Sequence, residues 1–526
     1  MPTASPSRPD HWARAALAGL ILLFLLRILA ILASPLELYA DEAQYWRWAQ
    51  TLEWGYYSKP PLIAWVIHMT TALFGDGPWA IRIAAPVLHL AAAVLLFLTG
   101  RAILDSRAGF FAAFLYALMP GVVLSSAVLS TDGVLMPVWC AALYLYWQLR
   151  AGKGGWGHAL ALGAAIGTGM LAKYAMLYFV IGVALTALID PASRRFVISA
   201  RGAAAGLVAA LILAPHFAWN AANDFETVGH TVDNANLGGD LFNPENALSW
   251  FADQLGLFGP VSFLALLAGA WLFRGAKDEA ARIDRWLMCF ILPVLVFILA
   301  QAVVSRAHAN WTATAYPAAA LLVAIWFSRQ MRGVLWTSLG LNGALAGVFM
   351  AGTALLSPAV TEALGVDNAM KRTRGWEASA AAVFAEAERL GATAVLVDER
   401  EAWHGLDYYG RDRDVPLISW RRYGGAKSFS ERVPLEGAIA ERVLVASVHA
   451  DFRPYLRGDF ETFEPVGQVR IDLGRRGNGC PITRVFQLYL ATGHAPPERT
   501  PKWEAQFSGQ TEFAEPRCPA PEEDAG

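Results

Sequence analysis

Eleven stretches of this chain are apolar over lengths close to what a bilayer crossing demands: residues 14–34, 80–100, 108–128, 132–150, 157–172, 174–190, 201–219, 249–273, 285–304, 311–329 and 333–357. A crossing helix needs about 20 mostly apolar residues, and once water is gone every backbone N–H and C=O must be paired inside the segment. That requirement leaves α-helix as the conformation for runs of this length. Charge usage agrees, since only 16% of residues are charged, against roughly 25% in a soluble domain. The net charge of -2 offers no basic surface for nucleic acid. No small-residue cleavage site follows the first run, so it reads as an uncleaved span rather than a removed leader.

Basic residues orient the spans, because connections on the cytoplasmic side carry the excess of Lys and Arg. With the N-terminus inside, the inner connections hold 15 Lys or Arg and the outer ones five. An odd number of spans then delivers everything after residue 357 to the outer side. The expectation is a polytopic α-helical membrane protein in two parts. Residues 1–357 form the membrane domain, with about 11 transmembrane helices plus interfacial helices. Residues 358–526 form a small α/β domain outside the cytoplasm. In that second part, 377–392 has the pattern of a helix, 393–399 and 442–448 those of strands. The last ~30 residues, rich in Pro and Glu, read as a loosely ordered tail. Cys480 and Cys518 both fall outside, where either a disulfide or two thiols is compatible with the sequence.

Polar residues near the spans gather on one side. The loop after the first span carries Asp41, Glu42, Arg47, Glu53 and Lys59. Further outer turns supply Asp132, then Lys173 and Tyr174, then Asn220 and His230, and finally Arg306, His308 and Asn310. Inner turns are dominated by Arg and Lys. Acids and bases converging on one membrane face mark a reaction or binding site, because ionisable groups at membrane depth are costly unless they act. His216 is read as a packed histidine.

The first outer loop is too long for a turn. EAQYWRWAQTL (42–52) has helical length, and PPLIAWVIHMTTALFG (60–75) is apolar but short for a span. Both read as helices lying along the outer interface, with Trp46, Trp48, Trp54, Tyr56, Tyr57 and Trp65 at headgroup depth. Asp41 with Gln44 three residues on has the D-x-x-Q form of a capping box. Asp41 thus reads either as a helix cap or as a carboxylate aimed at a substrate, and one residue can serve both ends. Glu42 similarly reads as a first-turn helix acid or a second acid of the site.

The order of motifs resembles the family 39 glycosyltransferases of the dolichyl-phosphate-mannose protein mannosyltransferase superfamily. The residues that carry it are DEAQY at 41–45, KPPL at 59–62, STD at 130–132, GTGMLAKY at 167–174, PHFAWN at 215–220 and HANW at 308–311. By motif the chain is similar to lipid A aminoarabinose transferases and rhizobial lipopolysaccharide galacturonosyltransferases, over about residues 14 to 357. The resemblance implies a GT-C fold in a bacterial inner membrane, its active site on the periplasmic side. It implies transfer of a sugar, with inversion, from a polyprenyl-phosphate donor to an acceptor that is a lipid or lipopolysaccharide rather than a protein. Asp41 would be the general base, with Glu42 beside it. Lys59, Lys173, Arg306 and His308 would meet the donor phosphate, and Asp132, Tyr174, Asn220, His230 and Asn310 would complete the site. The aminoarabinose transferases carry Glu before Lys-Pro-Pro where this chain has Ser58. That substitution leaves the sugar, and any divalent metal, open. A transporter or flippase of a lipid-linked sugar is the alternative class, but its polar groups belong near the midplane between internal repeats. Here they crowd one face.

Overall fold

Asp10 starts the first helix, its carboxylate accepting from the backbone N–H of Ala13 at 3.2 Å, and His11–Leu32 then runs unbroken for 22 residues. The computed structural model describes residues 10–233, 241–272, 279–305, 307–329 and 331–507. The chain divides into two units: Met1–Ser34 with Leu52–Ala354, and Pro35–Thr51 with Leu355–Gly526. Residues 35–51, which the sequence pattern assigned to the membrane domain, therefore belong to the second unit.

The first unit is helical. Among the described residues, six helices are long and apolar enough to cross a membrane: His11–Leu32, Pro78–Ile103, Ala200–Ala222, Glu279–Val304, Ala309–Ser328 and Arg332–Leu355. Two further pairs, Tyr174–Ile189 with Pro191–Val197 and Pro244–Phe258 with Pro260–Leu272, bend by 119° and 110°. Counting each pair as one span gives eight, so the eleven full crossings read from the sequence are not all met. The shortfall has local causes. The stretch 108–128 is cut into Ser106–Ala117 and Pro120–Ser125, because Pro120 forces Met119 into an extended conformation. Thr131–Arg150 has the length of a span, but its Trp, Tyr and Gln side chains lower its apolarity, and 14 of its 20 residues are buried among other helices rather than turned to lipid. The second bent pair breaks at Gly259, whose φ of 92° is open to glycine, and a Cβ there would stand 2.2 Å from the Asn342 side chain.

Several of the charged and polar side chains buried in this unit are matched with one another. Arg27 donates to the carbonyl of Ala117. His89 sits between the Tyr116 hydroxyl at 2.8 Å and the Ser125 hydroxyl at 3.0 Å. Arg150 grips Asp190 through Nε at 3.0 Å and Nη2 at 3.2 Å, while Asp190 also caps Pro191–Val197 at the Ser193 N–H. An unpaired polar group in such surroundings costs several kcal/mol, so partners at these positions are a condition of folding.

The second unit is built on a five-stranded sheet, β1 (Ala394–Val397), β2 (Leu417–Ser419), β3 (Val443–Ser447), β4 (Phe460–Arg475) and β5 (Pro481–His494), in the order β2-β1-β3-β5-β4. The first three pair in parallel, and β5 runs antiparallel to both β3 and β4. β1 and β3 are buried throughout, as parallel strands covered on both faces must be. Val395 and Val397 meet Trp376–Leu390 and Arg400–Tyr409 on one face, while Ala394 and Leu396 join Ile418, Trp420, Phe452 and Phe507 on the other. Of the C-terminal tail, Phe507 is 4% exposed and packs in that second cluster; residues 508–526, with Cys518, lie outside the described residues. Cys480 is disulfide-bonded.

Ala40–Ala49 does not lie on a lipid interface. It packs on Arg400–Tyr409: Trp46 meets Tyr408 edge-on at 4.9 Å, Arg47 donates to Asp407 at 2.6 Å, and the Leu38 N–H donates to the Tyr409 hydroxyl at 2.8 Å. Trp46 and Trp48 are 4% and 0% exposed, and Tyr56 and Tyr57, in the first unit, 1% and 9%. Four of the six rings expected at headgroup depth are thus buried in protein. An amphipathic sequence reports that one face is apolar, not whether lipid or protein covers it.

Candidate functional site

Two polar clusters form in the membrane unit from turns far apart in sequence. The first is built on Asp132. Ser130 caps Thr131–Arg150 by accepting from the Gly133 N–H, which frees Asp132 from capping and leaves it in the first turn, where the helix dipole favours a carboxylate. Its Oδ1 accepts from Lys173 Nζ at 2.7 Å and its Oδ2 from Asn310 Nδ2 at 2.9 Å. Lys173 and Asp132 keep 20% and 13% of their side chains exposed. Lys173 follows the last residue of Trp156–Ala172 in an extended conformation, so the chain turns as it leaves the helix. The cation also stands at the negative end of that helix.

The second cluster centres on His216. Its Nδ1 lies 2.6 Å from the carbonyl of Trp54, which can only accept, so Nδ1 carries the proton. Nε2 is then left to accept from the Tyr174 hydroxyl at 2.7 Å. Asn220, one turn on, donates to the His216 carbonyl at 3.0 Å, and its buried Oδ1 has no partner among the described residues. Tyr174 is the neighbour of Lys173, so one short 3-10 turn, Tyr174–Met176, joins the two clusters. The loop from Glu53 to Lys59 is pinned by the same region. Trp219 donates to Glu53 at 2.8 Å, Thr227 donates to the Tyr56 carbonyl at 2.6 Å, and His230 stands edge-on to Tyr57 at 5.8 Å. Within the loop, the Tyr56 N–H donates to the Lys59 carbonyl at 3.1 Å, closing a turn just before Pro60. Burial pushes the Tyr56 hydroxyl up to about 12, against the lowering effect of its hydrogen bond from the Glu53 N–H.

Asp132, Lys173 and Asn310 are therefore brought together, and Tyr174 and Asn220 join them through His216. His308 stands at the N-cap position of the 3-10 segment Ala309–Ala315, its ring edge-on to Trp311 at 5.2 Å. Arg306 lies outside the described residues. His216 is the residue the sequence reading set aside. Its signal was the PHFAWN segment, where it stands one helical turn before Asn220.

Asp41 and Glu42 are in the second unit. Glu42, 1% exposed, accepts from the Tyr39 N–H at 3.2 Å and so closes the capping box. The D-x-x-Q reading is displaced by two residues: Tyr39, not Asp41, stands at the cap. Asp41 is released to accept from Arg400 at 2.5 Å, and the same guanidinium nitrogen reaches Gln44. Arg400 had no sequence signal, because it lies 359 positions from Asp41. Among the described residues no group of three or more His, Cys, Asp or Glu is disposed to hold a metal ion.

Residues 58–219 match the family model described as dolichyl-phosphate-mannose-protein mannosyltransferase. Lipid A galacturonosyltransferase RgtD of Rhizobium johnstonii is 34% identical over 410 residues, which is 77% of this chain and 85% of that protein. The chain belongs to this glycosyltransferase family. The membership makes it a multi-pass membrane enzyme and accounts for the order of its motifs. Undecaprenyl phosphate-alpha-4-amino-4-deoxy-L-arabinose arabinosyl transferase 2 of Proteus mirabilis is 26% identical, over 55% of this glycosyltransferase and 56% of the relative. Its fold is that of ArnT from Cupriavidus metallidurans, whose apo crystal structure superposes with a TM-score of 0.62 at 15% identity, covering 94% of this chain and all of that one.

Proposed function

We propose that this glycosyltransferase moves a hexuronosyl residue from a polyprenyl-phosphate carrier to the lipid A or core region of lipopolysaccharide, on the periplasmic side of the bacterial inner membrane. The observation that carries this reading is the 34% identity to a lipid A galacturonosyltransferase along 85% of its length. Ser58, in place of the acid expected before Lys-Pro-Pro in aminoarabinose transferases, supports the choice of sugar. A carboxylate there suits a cationic amino sugar, whereas a neutral hydroxyl does not repel a uronate.

In the proposed reaction an acceptor hydroxyl oxygen bonds to the anomeric carbon as the bond from that carbon to the phosphate oxygen breaks. The electron pair leaves with the polyprenyl phosphate, and the acceptor proton passes to the Asp41 carboxylate. A general base of this kind contributes about 10²–10⁴-fold. The departing phosphate gains negative charge, and Lys59 and Lys173 are the cations proposed to meet it, with Arg306 and His308 assisting. Asp132 and Asn310 hold Lys173, and Tyr174 supplies a hydroxyl beside it. The test is transfer in proteoliposomes from undecaprenyl-phosphate galacturonate to lipid A, read by mass spectrometry as the gain of one hexuronosyl residue. Wild-type protein without that product overturns the proposal, and Asp41→Asn with full activity removes the base.

A further inference from the structure

The second unit contains a cavity of about 650 Å³, lined by residues of β1, β2 and β5 and the loops around them. Leu396 and Trp420 line it, and both belong to the sheet face opposite the two helices. A volume of this size falls within the range of small-molecule sites. The cavity is also bordered by a carboxylate with an unmade hydrogen bond. Asp459 lines it and is 1% exposed. Its Oδ2 takes two donors, Trp420 Nε1 at 2.8 Å and Arg499 Nη2 at 2.5 Å. Its Oδ1 is buried and has no partner among the described residues. A buried acceptor left unmade costs about 1–3 kcal/mol, more when charged, so a ligand donor at this oxygen has a large return.

The other polar groups around the cavity decide which ligand fits. Its cations are already engaged. Arg421 donates through Nε and Nη2 to the Glu431 carbonyl at 3.3 and 2.7 Å, and Arg499 is held by Asp459 while its guanidinium lies 4.3 Å over the Trp503 ring. Burial lowers the pKa of the His494 imidazole, so it carries little positive charge near neutrality. Glu436 and Glu441 also line the cavity and enter no ion pair among the described residues. What remains available is acceptor oxygen beside the apolar walls of Trp420, Tyr423 and Leu435. Phosphate and carboxylate ligands bring only further acceptors and negative charge. A sugar ring brings several hydroxyl donors on one edge and C–H groups on its faces.

We propose that this cavity is a saccharide site that takes a neutral or amino-bearing sugar residue, with a hydroxyl or ammonium donor directed at Asp459. The site discriminates against uronates and phosphates, the opposite preference to that proposed for the transfer chemistry, and on that reading it would hold part of the acceptor rather than the departing sugar. Its test needs no donor lipid, so it fails or succeeds independently of sugar transfer. Full-length protein in detergent is titrated with D-glucosamine, D-galacturonate and inorganic phosphate, with binding followed by saturation-transfer NMR and tryptophan fluorescence. The expected result is saturable glucosamine binding with at least tenfold weaker binding of the two anions. Asp459→Asn should weaken glucosamine by a similar factor. Because that change also disturbs the Arg499 and Trp420 hydrogen bonds, Ala440→Phe provides a second variant, filling the cavity from its lining without touching Asp459. It should weaken glucosamine at least tenfold with an unchanged thermal midpoint. Glucosamine that fails to saturate wild type, anions that bind as well as glucosamine, or a folded Ala440→Phe protein that binds normally each overturn the proposal.

Discussion

Lys173 can serve a departing phosphate only if it is held in place, and the structure assigns that task to Asp132. The two are 2.7 Å apart, a separation at which the gross attraction is about 6 kcal/mol for an effective dielectric near 20. Desolvation and residual exposure reduce what is recovered. Removing one partner of a fully buried pair costs about 3–5 kcal/mol, an exposed one about 0–1 kcal/mol. Side chains 20% and 13% exposed fall between, which gives about 1–3 kcal/mol of coupling. Asp132→Asn removes the charge while an amide oxygen remains to accept from Asn310, and Lys173→Gln removes the cation. The two single variants and the double are compared by kcat/KM for the polyprenyl-phosphate donor, read as free energies. Each single change should lower kcat/KM, and the double should be no worse than Lys173→Gln alone. The shortfall from additivity should be about 5- to 150-fold. Losses that add to within about 0.5 kcal/mol would show that the ion pair does not position the lysine, and an unchanged kcat/KM for Lys173→Gln would remove it from the site.

Three other outcomes follow from the same geometry. His216→Phe keeps the ring but deletes both hydrogen bonds, so the loop at Trp54 and the Tyr174 hydroxyl lose their link; we expect at least a tenfold fall in kcat/KM, with Tyr174→Phe giving a smaller part of the same fall, and no fall in either variant would reduce the cluster to packing. Arg400→Gln breaks an ion pair whose side chains are 41% and 44% exposed, so the thermal midpoint should move little, by at most about 1 kcal/mol of stability, while kcat changes if Arg400 sets the position of Asp41. Burial raises the Asp407 carboxyl to about 6 from 3.8, outweighing the Arg47 guanidinium beside it. The folded state therefore keeps this proton longer than the unfolded chain, and stability is lost as pH rises from about 4 to about 6, by up to about 3 kcal/mol; Asp407→Asn should flatten thermal midpoints measured across that window, and an unchanged slope would refute the assignment.

Much of this was legible because it depends on local pattern. Apolar runs specified where helices lie, since no other conformation pairs its backbone within one segment in lipid. The helix at 376–390 and strands β1 and β3 were visible as a 3.6-residue period followed by short β-branched runs. β4 and β5 were not, for their inward residues are irregularly spaced and much of β4 is exposed; that hairpin is held by cross-strand pairing, which one strand's sequence does not display. The capping box illustrates the same limit at small scale. Asp41 with Gln44 satisfied the pattern and Tyr39 with Glu42 did not, yet the packed helix has Tyr39 at its cap.

By itself the sequence determined the class of protein, most of its helical stretches and, through the order of its motifs, its glycosyltransferase family. Tertiary structure alone decided that Lys173 pairs with Asp132, that His216 links Tyr174 to the Trp54 carbonyl, and that Ala40–Ala49 packs on Arg400–Tyr409. The reason is reach. Propensity and periodicity act over a few residues, whereas Arg400 and Asp41 meet across 359 positions, and a meeting at that separation is fixed by the packing of the whole unit.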